Sequence, residues 1–263
     1  MNSAQVRFGR VCVDAVDHAQ ALVAIENLVA ARRGGAVYTP NVDHVVLAEQ
    51  LPEFAEAYAR ADLSLCDSQP LRWISPLFGP AIPERVAGSD FFLPLMRLAS
   101  KREWRVFLLG GGPGVVEEGA ERLAREEGVT IAGTAAPTIG LTAEAGEEAL
   151  VALIAKARPD LIVTLLGAPK GELWINRVRE RLRPAVAVQL GASLDFYLGR
   201  VRRAPVWMRQ AGLEWLFRLI QEPRRLAHRY LVRGPKSLLI LASTWHSRRR
   251  AGVPGPNDTG EAL

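Results

Sequence analysis

Cysteine is scarce in this sequence, and its scarcity argues against two classes of protein. Only two of the 263 residues are cysteines, Cys12 and Cys66, and no C-x-x-C pair occurs. A disulfide framework or a structural zinc site is therefore not expected, whereas a reducing compartment is. The four histidines are scattered along the chain and show no metal-ligand spacing.

The chain also lacks long apolar segments. Residues 1–20 contain no apolar core of the kind that marks a secretory signal. The longest fully apolar run near the C-terminus, residues 238–242, is much shorter than the roughly 20 residues that a membrane-spanning helix needs. We therefore expect a cytoplasmic protein without a spanning helix.

Two common signatures of nucleotide-binding proteins are absent. No G-x-x-x-x-G-K-[ST] sequence occurs, which disfavours a P-loop kinase. No Asp-x-Asp sequence occurs either, so the usual carboxylate pair for a divalent metal on a nucleotide diphosphate is missing. If the protein binds such a diphosphate, cationic side chains and helix N-termini must balance its charge.

Acidic residues become rare toward the C-terminus. Residues 196–263 contain 13 Lys or Arg and 4 Asp or Glu, a net charge of +9, whereas residues 1–195 carry a net charge of −4. This asymmetry indicates that the C-terminal part meets an anionic partner, either phospholipid or nucleic acid. Apolar residues make up 49% of the chain, which argues against wholesale disorder.

What the sequence does contain is an alternation of strand and helix patterns. Short apolar runs predict strands at residues 11–13, 36–39, 63–66, 104–109, 129–132, 160–166 and 185–190. Helical patterns occur at residues 17–33, 91–101, 115–127, 142–157 and 171–182. This alternation predicts a Rossmann-like α/β fold, in which a mostly parallel sheet is flanked by helices.

The pattern changes near residue 197, after which no strand is predicted. We therefore divide the chain into a Rossmann-like domain at 1–197, a basic amphipathic helical appendage at 198–250 and a disordered tail at 251–263. In residues 207–220, Trp, Phe and Leu are interleaved with Arg. This composition suits a helix lying in a membrane interface, but also nucleic-acid binding or packing against the core or a sister subunit.

Candidate site residues lie in the loops that follow the predicted strands, because open parallel sheets bind ligands beyond the carboxyl ends of their strands. Asp67 directly follows an apolar strand. Partial burial there raises the pKa of a carboxyl group toward that of a useful general base. The alternative is that Asp67 caps a helix starting near Pro70.

Other loop residues also have two interpretations. Thr39 and Asn41 could bind a sugar or phosphate or only shape a turn. Arg85 could pair with a pyrophosphate or with its neighbour Glu84. Lys170 at a helix start opposes the helix dipole, which hints at a nearby anion.

A glycine-rich loop at residues 110–114 follows a predicted strand and opens a helix. Its backbone N–H groups could cradle a phosphate, or the loop could be a tight turn only. It is a poor dinucleotide fingerprint, because Val115 stands at the third glycine position and no acid follows the next strand. A nucleotide-cofactor oxidoreductase therefore remains an alternative rather than the first hypothesis.

Taken together, the loops resemble one known family. The motifs occur in this order: Thr39-x-Asn41, the Asp67 loop, PERVAG at 83–88, LLGG at 108–111, Gly167-x-Pro-Lys170 with Glu172 and Trp174, RAPVW at 203–207, GLEWL at 212–216, Arg218, Glu222-Pro223 and Arg225. In this combination the chain closely resembles, over residues 6–240, the WecG/TagA/CpsF-type bacterial glycosyltransferases.

The resemblance implies an inverting, metal-independent hexosyltransferase without a cofactor, similar to N-acetylmannosaminyl and N-acetylmannosaminuronyl transferases. Such an enzyme moves a sugar from a UDP-sugar to a polyprenyl-diphosphate-linked saccharide in cell-surface polysaccharide biosynthesis. Its partners are the donor, the lipid-linked acceptor and an anionic membrane surface at the inner face of the cell membrane, with no nucleic acid. A homo-oligomeric state is left open.

The resemblance also assigns roles to individual residues. Asp67 is implied as the general base and Thr39 as a second catalytic residue. The residues implied in nucleotide-sugar binding are Asn41, Arg85, Gly110, Gly111, Gly167, Pro169, Lys170, Glu172 and Asp195. Those implied at the lipid diphosphate or membrane are Arg203, Trp207, Trp215, Arg218 and Arg225.

The chain departs from the family pattern at two places. Gly171 stands where the family usually has glutamine, so a side-chain amide near the sugar is lost and the donor identity is left open. Ser68-Gln69 replaces the glycine that usually follows the aspartate, so the acceptor side also differs. The basic nucleic-acid-binding protein remains a further alternative at this point.

Overall fold

The computed structural model describes residues 3–142, 145–227, 231 and 233–250. The side chain of Arg225 and the tail predicted at 251–263 lie outside the described residues. Strands β1 (Gln5–Phe8) and β2 (Val11–Asp14) form a small antiparallel pair. The strand expected at 11–13 therefore exists, but it does not belong to the main sheet.

The main sheet contains six parallel strands. These are β3 (Gly35–Tyr38), β4 (Leu63–Ser64), β5 (Arg105–Gly110), β6 (Thr130–Ala135), β7 (Leu161–Leu165) and β8 (Val186–Gln189). Their order across the sheet is β4-β3-β8-β7-β5-β6, and each pairs in parallel with its neighbours. The predicted α/β fold with a mostly parallel sheet is confirmed.

Helices cover both faces of this sheet. One face packs against α1 (His18–Ala31), α5 (Gly88–Lys101), α6 (Val115–Glu127) and the short α9 (Ser193–Tyr197). The other packs against α2 (Val42–Gln50), α3 (Pro52–Ala59), α7 (Glu147–Ala157) and α8 (Lys170–Val178). Because both faces are covered, β7 and β8 are buried throughout, as is usual for parallel strands.

The local signals that predicted helices are mostly visible in the structure. Asp17 caps α1, because its carboxylate accepts a hydrogen bond of 2.8 Å from the backbone N–H of Gln20. The predicted helix at 142–157 is shorter than expected and begins at Glu147. Helices α2 and α3 and the 3₁₀ turn Ser75–Leu77 had no counterpart in the prediction. Helix α4 (Gln69–Ile74) corresponds to the helix considered to start near Pro70.

No strand follows β8 in the part of the chain that the structure describes. Instead come α10 (Val206–Gln210), α11 (Glu214–Gln221), α12 (Pro223–Ala227) and α13 (Gly234–Arg250). Helix α13 packs back on α2, with Leu241 buried in the core and Arg233 Nε lying 3.2 Å from Asp43 Oδ1. None of the described helices is long and apolar enough to cross a membrane.

Because all six strands of the main sheet run in the same direction, the loops that follow them meet at one edge. Backbone hydrogen bonds tie these loops together in pairs. The N–H of Asp67 donates to the carbonyl of Pro40 at 2.9 Å, and the N–H of Val86 donates to Cys66 at 2.8 Å. These bonds bring the loops after β3 and β4 and the segment before α5 to one place.

Candidate active site

Asp67 lies at this edge, in the loop after β4, and is partly buried. The residue that caps α4 is Ser68, whose hydroxyl accepts a hydrogen bond of 3.3 Å from the N–H of Leu71. The alternative that Asp67 is the helix cap is therefore wrong. Its carboxylate does not cap the helix, and the charges of Arg85, Glu214 and Arg218 act on it.

The surroundings of Asp67 make it a stronger base than an ordinary aspartate. Burial, reinforced by the negative charge of Glu214, raises the pKa of Asp67 to about 6. The positive charges of Arg85 and Arg218 oppose this rise. At neutral pH the carboxylate is mostly ionised, yet it binds a proton more tightly than an exposed one, which suits a general base.

Arg85 lies beside Asp67 and is held by two other carboxylates. Its Nη1 atom lies 2.8 Å from Glu214 Oε2, and its Nη2 atom lies 3.5 Å from Asp90 Oδ2. Glu84 instead contacts His18 at 2.9 Å. The predicted alternative of an Arg85–Glu84 ion pair is therefore wrong, and the guanidinium lies between Glu214 and Asp90.

The appendage contributes three more arginines to the same place. Arg203 forms a bidentate ion pair with Asp90, in which Nη2 lies 2.8 Å from Oδ2. Arg209 Nη1 lies 3.3 Å from Asp90 Oδ1. The guanidinium groups of Arg203 and Arg218 lie 5.7 and 5.8 Å from the ring centre of Phe196. We call Arg85, Arg203, Arg209 and Arg218 the arginine cluster.

The arginine cluster retains hydrogen-bonding capacity. The Nε atoms of Arg203, Arg209 and Arg218 are buried and have no hydrogen-bond partner among the described residues. Buried N–H donors usually find a partner, so these three are suited to receiving an additional acceptor such as a phosphate oxygen.

Thr39 and Asn41 lie in the loop after β3, where both hold the backbone. The Thr39 hydroxyl donates to the carbonyl of Gln189 at 3.1 Å, which links the ends of β3 and β8. Asn41 caps α2, with Oδ1 accepting from the N–H of Asp43 at 3.0 Å. The turn-shaping role considered for Asn41 is thus present in the structure.

Glu172 is buried beneath this loop. Its Oε1 atom lies 3.1 Å from His44 Nε2, and both residues are less than 5% exposed. Because His44 Nδ1 accepts a 3.1 Å hydrogen bond from the backbone N–H of Asn41, we assign the ring proton to Nε2, which donates to Glu172. Through His44, Glu172 therefore helps to hold the backbone of Asn41 in place.

The glycine-rich loop combines a tight turn with an open helix end. Gly110 has φ +106, and a Cβ atom there would lie 3.0 Å from the backbone of Leu165, so only glycine fits. Helix α6 starts after Gly114 without a side-chain cap, and residues 111–114 are exposed. The first N–H groups of α6 are thus directed toward the strand-end edge.

The remaining predicted residues are distributed around this edge. Lys170 is the exposed first residue of α8, after the exposed Gly167 and the partly buried Pro169. Gly111 follows β5, and Asp195 lies partly buried in the first turn of α9. The strand-end loops thus bring the residues predicted to bind the donor to the same edge of the sheet. Among them, Glu172 is buried.

The predicted membrane residues separate into two groups. Arg203 and Arg218 belong to the arginine cluster, whereas Trp207 and Trp215 are 62% and 39% exposed on α10 and α11. Ile220, also on α11, is 71% exposed. The appendage therefore directs arginines toward Asp90 and Phe196, and large apolar side chains toward solvent.

Sequence reasoning missed several residues that complete the site. Asp90, Arg209, Glu214, His44 and Gln189 had no assigned role. Asp90, Glu214, His44 and Gln189 each contact a residue that did, and Arg209 joins the site through Asp90. Glu214 could have been found inside the GLEWL motif that carried the resemblance. Among residues with described positions, no group of three or more His, Cys, Asp or Glu is arranged to hold a metal ion.

Comparison with known proteins agrees with this geometry. Residues 6–251 match the model of the "Glycosyl transferase WecG/TagA/CpsF family". The chain is 32% identical over 230 residues, 87% of its length and 85% of the relative's, to the "N-acetylglucosaminyldiphosphoundecaprenol N-acetyl-beta-D-mannosaminyltransferase" of Bacillus spizizenii. These matches favour a transferase over an oxidoreductase or a nucleic-acid-binding protein. The protein is a glycosyltransferase and belongs to the WecG/TagA/CpsF family.

Proposed function

We propose that this enzyme transfers a sugar from a UDP-sugar to a polyprenyl-diphosphate-linked saccharide, with inversion at the anomeric carbon and Asp67 as general base. The Bacillus spizizenii relative is named for N-acetylmannosamine transfer to N-acetylglucosaminyl-diphosphoundecaprenol. That name supports an acceptor of the same class here, and therefore a role in cell-surface polysaccharide biosynthesis.

The observation that carries the proposal is the partly buried Asp67 carboxylate beside the arginine cluster, with its pKa raised to about 6. In the proposed reaction, the acceptor hydroxyl gives its proton to Asp67 while its oxygen forms a bond to the anomeric carbon. The bond from that carbon to the UDP oxygen breaks, and UDP leaves with the electron pair. A single displacement from the opposite side inverts the anomeric centre.

The leaving diphosphate needs positive charge around it. Arg85, one of whose atoms lies within 2.8 Å of Glu214, can exchange this carboxylate for a phosphate oxygen of similar charge and geometry. The open N-terminus of α6 offers further N–H donors on the same edge of the sheet. Groups that are already oriented toward developing charge stabilise a transition state most effectively.

The appendage suits the lipid-linked acceptor. Arg203, Arg209 and Arg218 have buried Nε–H groups without a hydrogen-bond partner among the described residues, and these can donate to the oxygens of a lipid diphosphate. The exposed Trp207, Trp215 and Ile220 on the same helices have the amphipathic character of residues in a membrane interface. We therefore propose that the enzyme works at the inner face of the cell membrane.

The test is the substitution Asp67→Asn, assayed by UDP release and product formation with UDP-N-acetylmannosamine and a short-chain lipid-diphosphate acceptor. We expect transfer to fall at least about a hundredfold, since general-base catalysis contributes roughly that much or more, while UDP still binds. Glu214→Gln is the matched control, because it removes a carboxylate that also borders Arg85 and leaves the base intact. Near wild-type turnover by Asp67→Asn would show that Asp67 is not the base.

A further inference from the structure

The side chain of Gln189, at the end of β8, occupies the space where a side chain at Gly171, near the start of α8, would lie. Gly171 is the second residue of α8 and is buried against β8. A Cβ atom at Gly171 would lie 2.2 Å from Nε2, 2.3 Å from Cδ and 2.5 Å from Oε1 of Gln189. These atoms form the whole carboxamide of Gln189, so no side chain fits at position 171 while that group stays in place.

The carboxamide of Gln189 is held on both sides. Gln189 is 3% exposed, its Oε1 accepts from the hydroxyl of Thr164, and its Nε2 donates to the carbonyl of Leu166 at 2.6 Å. Moving it aside would leave a buried donor and a buried acceptor without partners, which is costly. The carboxamide is therefore a fixed part of the structure, and Gly171 adapts to it.

Gln189 also connects the loops that carry the site. Its backbone carbonyl accepts from the Thr39 hydroxyl at 3.1 Å, while its side chain holds Leu166, where the loop of Gly167, Pro169 and Lys170 begins. One residue at the end of β8 thus sets the spacing between the loops after β3 and β7. Both loops contribute residues to the proposed donor site.

We infer that Gln189 is a positioning residue for the nucleotide-sugar donor, and that it occupies from β8 the space into which a glutamine at position 171 would project from α8. Gln189 acts through the backbone of Leu166 and the hydroxyl of Thr39, which it holds, and does not itself contact the donor. This inference rests on the proposed function, because it concerns the donor side of the same site.

Four variants test it: Gln189→Ala, Gln189→Glu, Gly171→Gln and the double variant Gly171→Gln/Gln189→Ala. Gln189→Glu keeps the shape but replaces the donor to Leu166 with an acceptor. We expect both Gln189 single variants to weaken UDP binding by about tenfold or more, as the loss of a buried hydrogen bond implies. In steady-state transfer, the KM for UDP-N-acetylmannosamine should rise more than kcat falls.

Gly171→Gln alone should weaken UDP binding at least as much, because two carboxamides meet in one space. The double variant should bind UDP more tightly than either of its single variants, because the collision is removed and an amide is restored. Such a recovery of UDP binding is not expected if the substitutions act only by disturbing the packing. A melting curve for each variant establishes that it is folded.

The inference is overturned if the Gln189 variants are folded and bind UDP as the wild type does, or if Gly171→Gln binds UDP normally. It is equally overturned if the folded double variant binds UDP no more tightly than the tighter-binding of its two single variants. Failure of the proposed function gives a different result, since the wild-type enzyme would then neither bind UDP nor release it from the donor.

Discussion

The raised pKa of Asp67 predicts that its ionised carboxylate destabilises the ligand-free enzyme. Its pKa moves from an ordinary 3.8 to about 6 because burial penalises the charged form. The folded state therefore holds a proton that the unfolded chain releases between these two pH values. The corresponding stability is present below pH 3.8 and is lost as pH rises to about 6.

The size of the effect follows from the shift. One pH unit of pKa difference corresponds to about 1.4 kcal/mol, so the ionised Asp67 costs about 3 kcal/mol of unfolding free energy at pH 8. We expect Asp67→Asn, which cannot ionise, to be more stable than the wild type at pH 8 by up to about 3 kcal/mol. The difference should shrink toward zero as pH falls to about 4.

Urea denaturation of both proteins across pH 4–8 measures this difference. Asp90→Asn is an informative control of opposite sign. Although burial opposes it, hydrogen bonding and the charge of Arg203 lower the pKa of Asp90, so its stabilisation is present at neutral pH and lost on acidification. Asp90→Asn should therefore be less stable than the wild type at pH 8. The reasoning is refuted if Asp67→Asn is no more stable there, or if its difference does not vary with pH.

Three further outcomes follow from the same structure. The transfer rate should rise with pH through an apparent pKa of about 6. Glu214→Gln should shift this rise to lower pH, because the charge of Glu214 raises the pKa of Asp67. A pH–rate profile that is the same for wild type and variant contradicts this. Replacing the well-exposed Trp207 and Ile220 with alanine should reduce sedimentation with anionic vesicles while the melting temperature stays unchanged; equal sedimentation refutes the interfacial role. Gly110→Ala should lower the unfolding free energy by at least about 1 kcal/mol in denaturation, since a positive φ and a close backbone contact both oppose a Cβ; wild-type stability would contradict the strain.

Much of the fold follows from local pattern. The alternation of short apolar runs with amphipathic helices was enough to predict a mostly parallel α/β sheet, and six of the seven predicted strands lie in it. The two helices that follow β3, α2 and α3, were missed. In α2 the polar Asp43 and His44 are buried together with apolar residues, so the sequence shows no clear apolar face. Strand β1 is only four residues long and depends on its partner β2.

The position of the candidate site could be predicted from the sequence, but the ion pairs between its side chains could not. Parallel strands end at one edge, so Thr39, Asp67 and Asp195 could be placed on that edge from the sequence. The partner of Arg85 could not be chosen, because the sequence offers the adjacent Glu84 and gives no reason to prefer Glu214, which lies 129 residues away along the chain. Helix docking, rather than local propensity, decided that pairing.

By itself, the sequence determined the fold class, the ordered family motifs and the identity of the strand-end carboxylate, since these depend on periodicity and on residues close together in the chain. Only the packing of the chain settled that Ser68, and not Asp67, caps α4, and that arginines of the appendage pair with Asp90 near the strand ends. It also decided that Gln189 fills the space beside Gly171. The physical reason is that burial and pairing of charges depend on distances in space, which the packing of helices on the sheet sets.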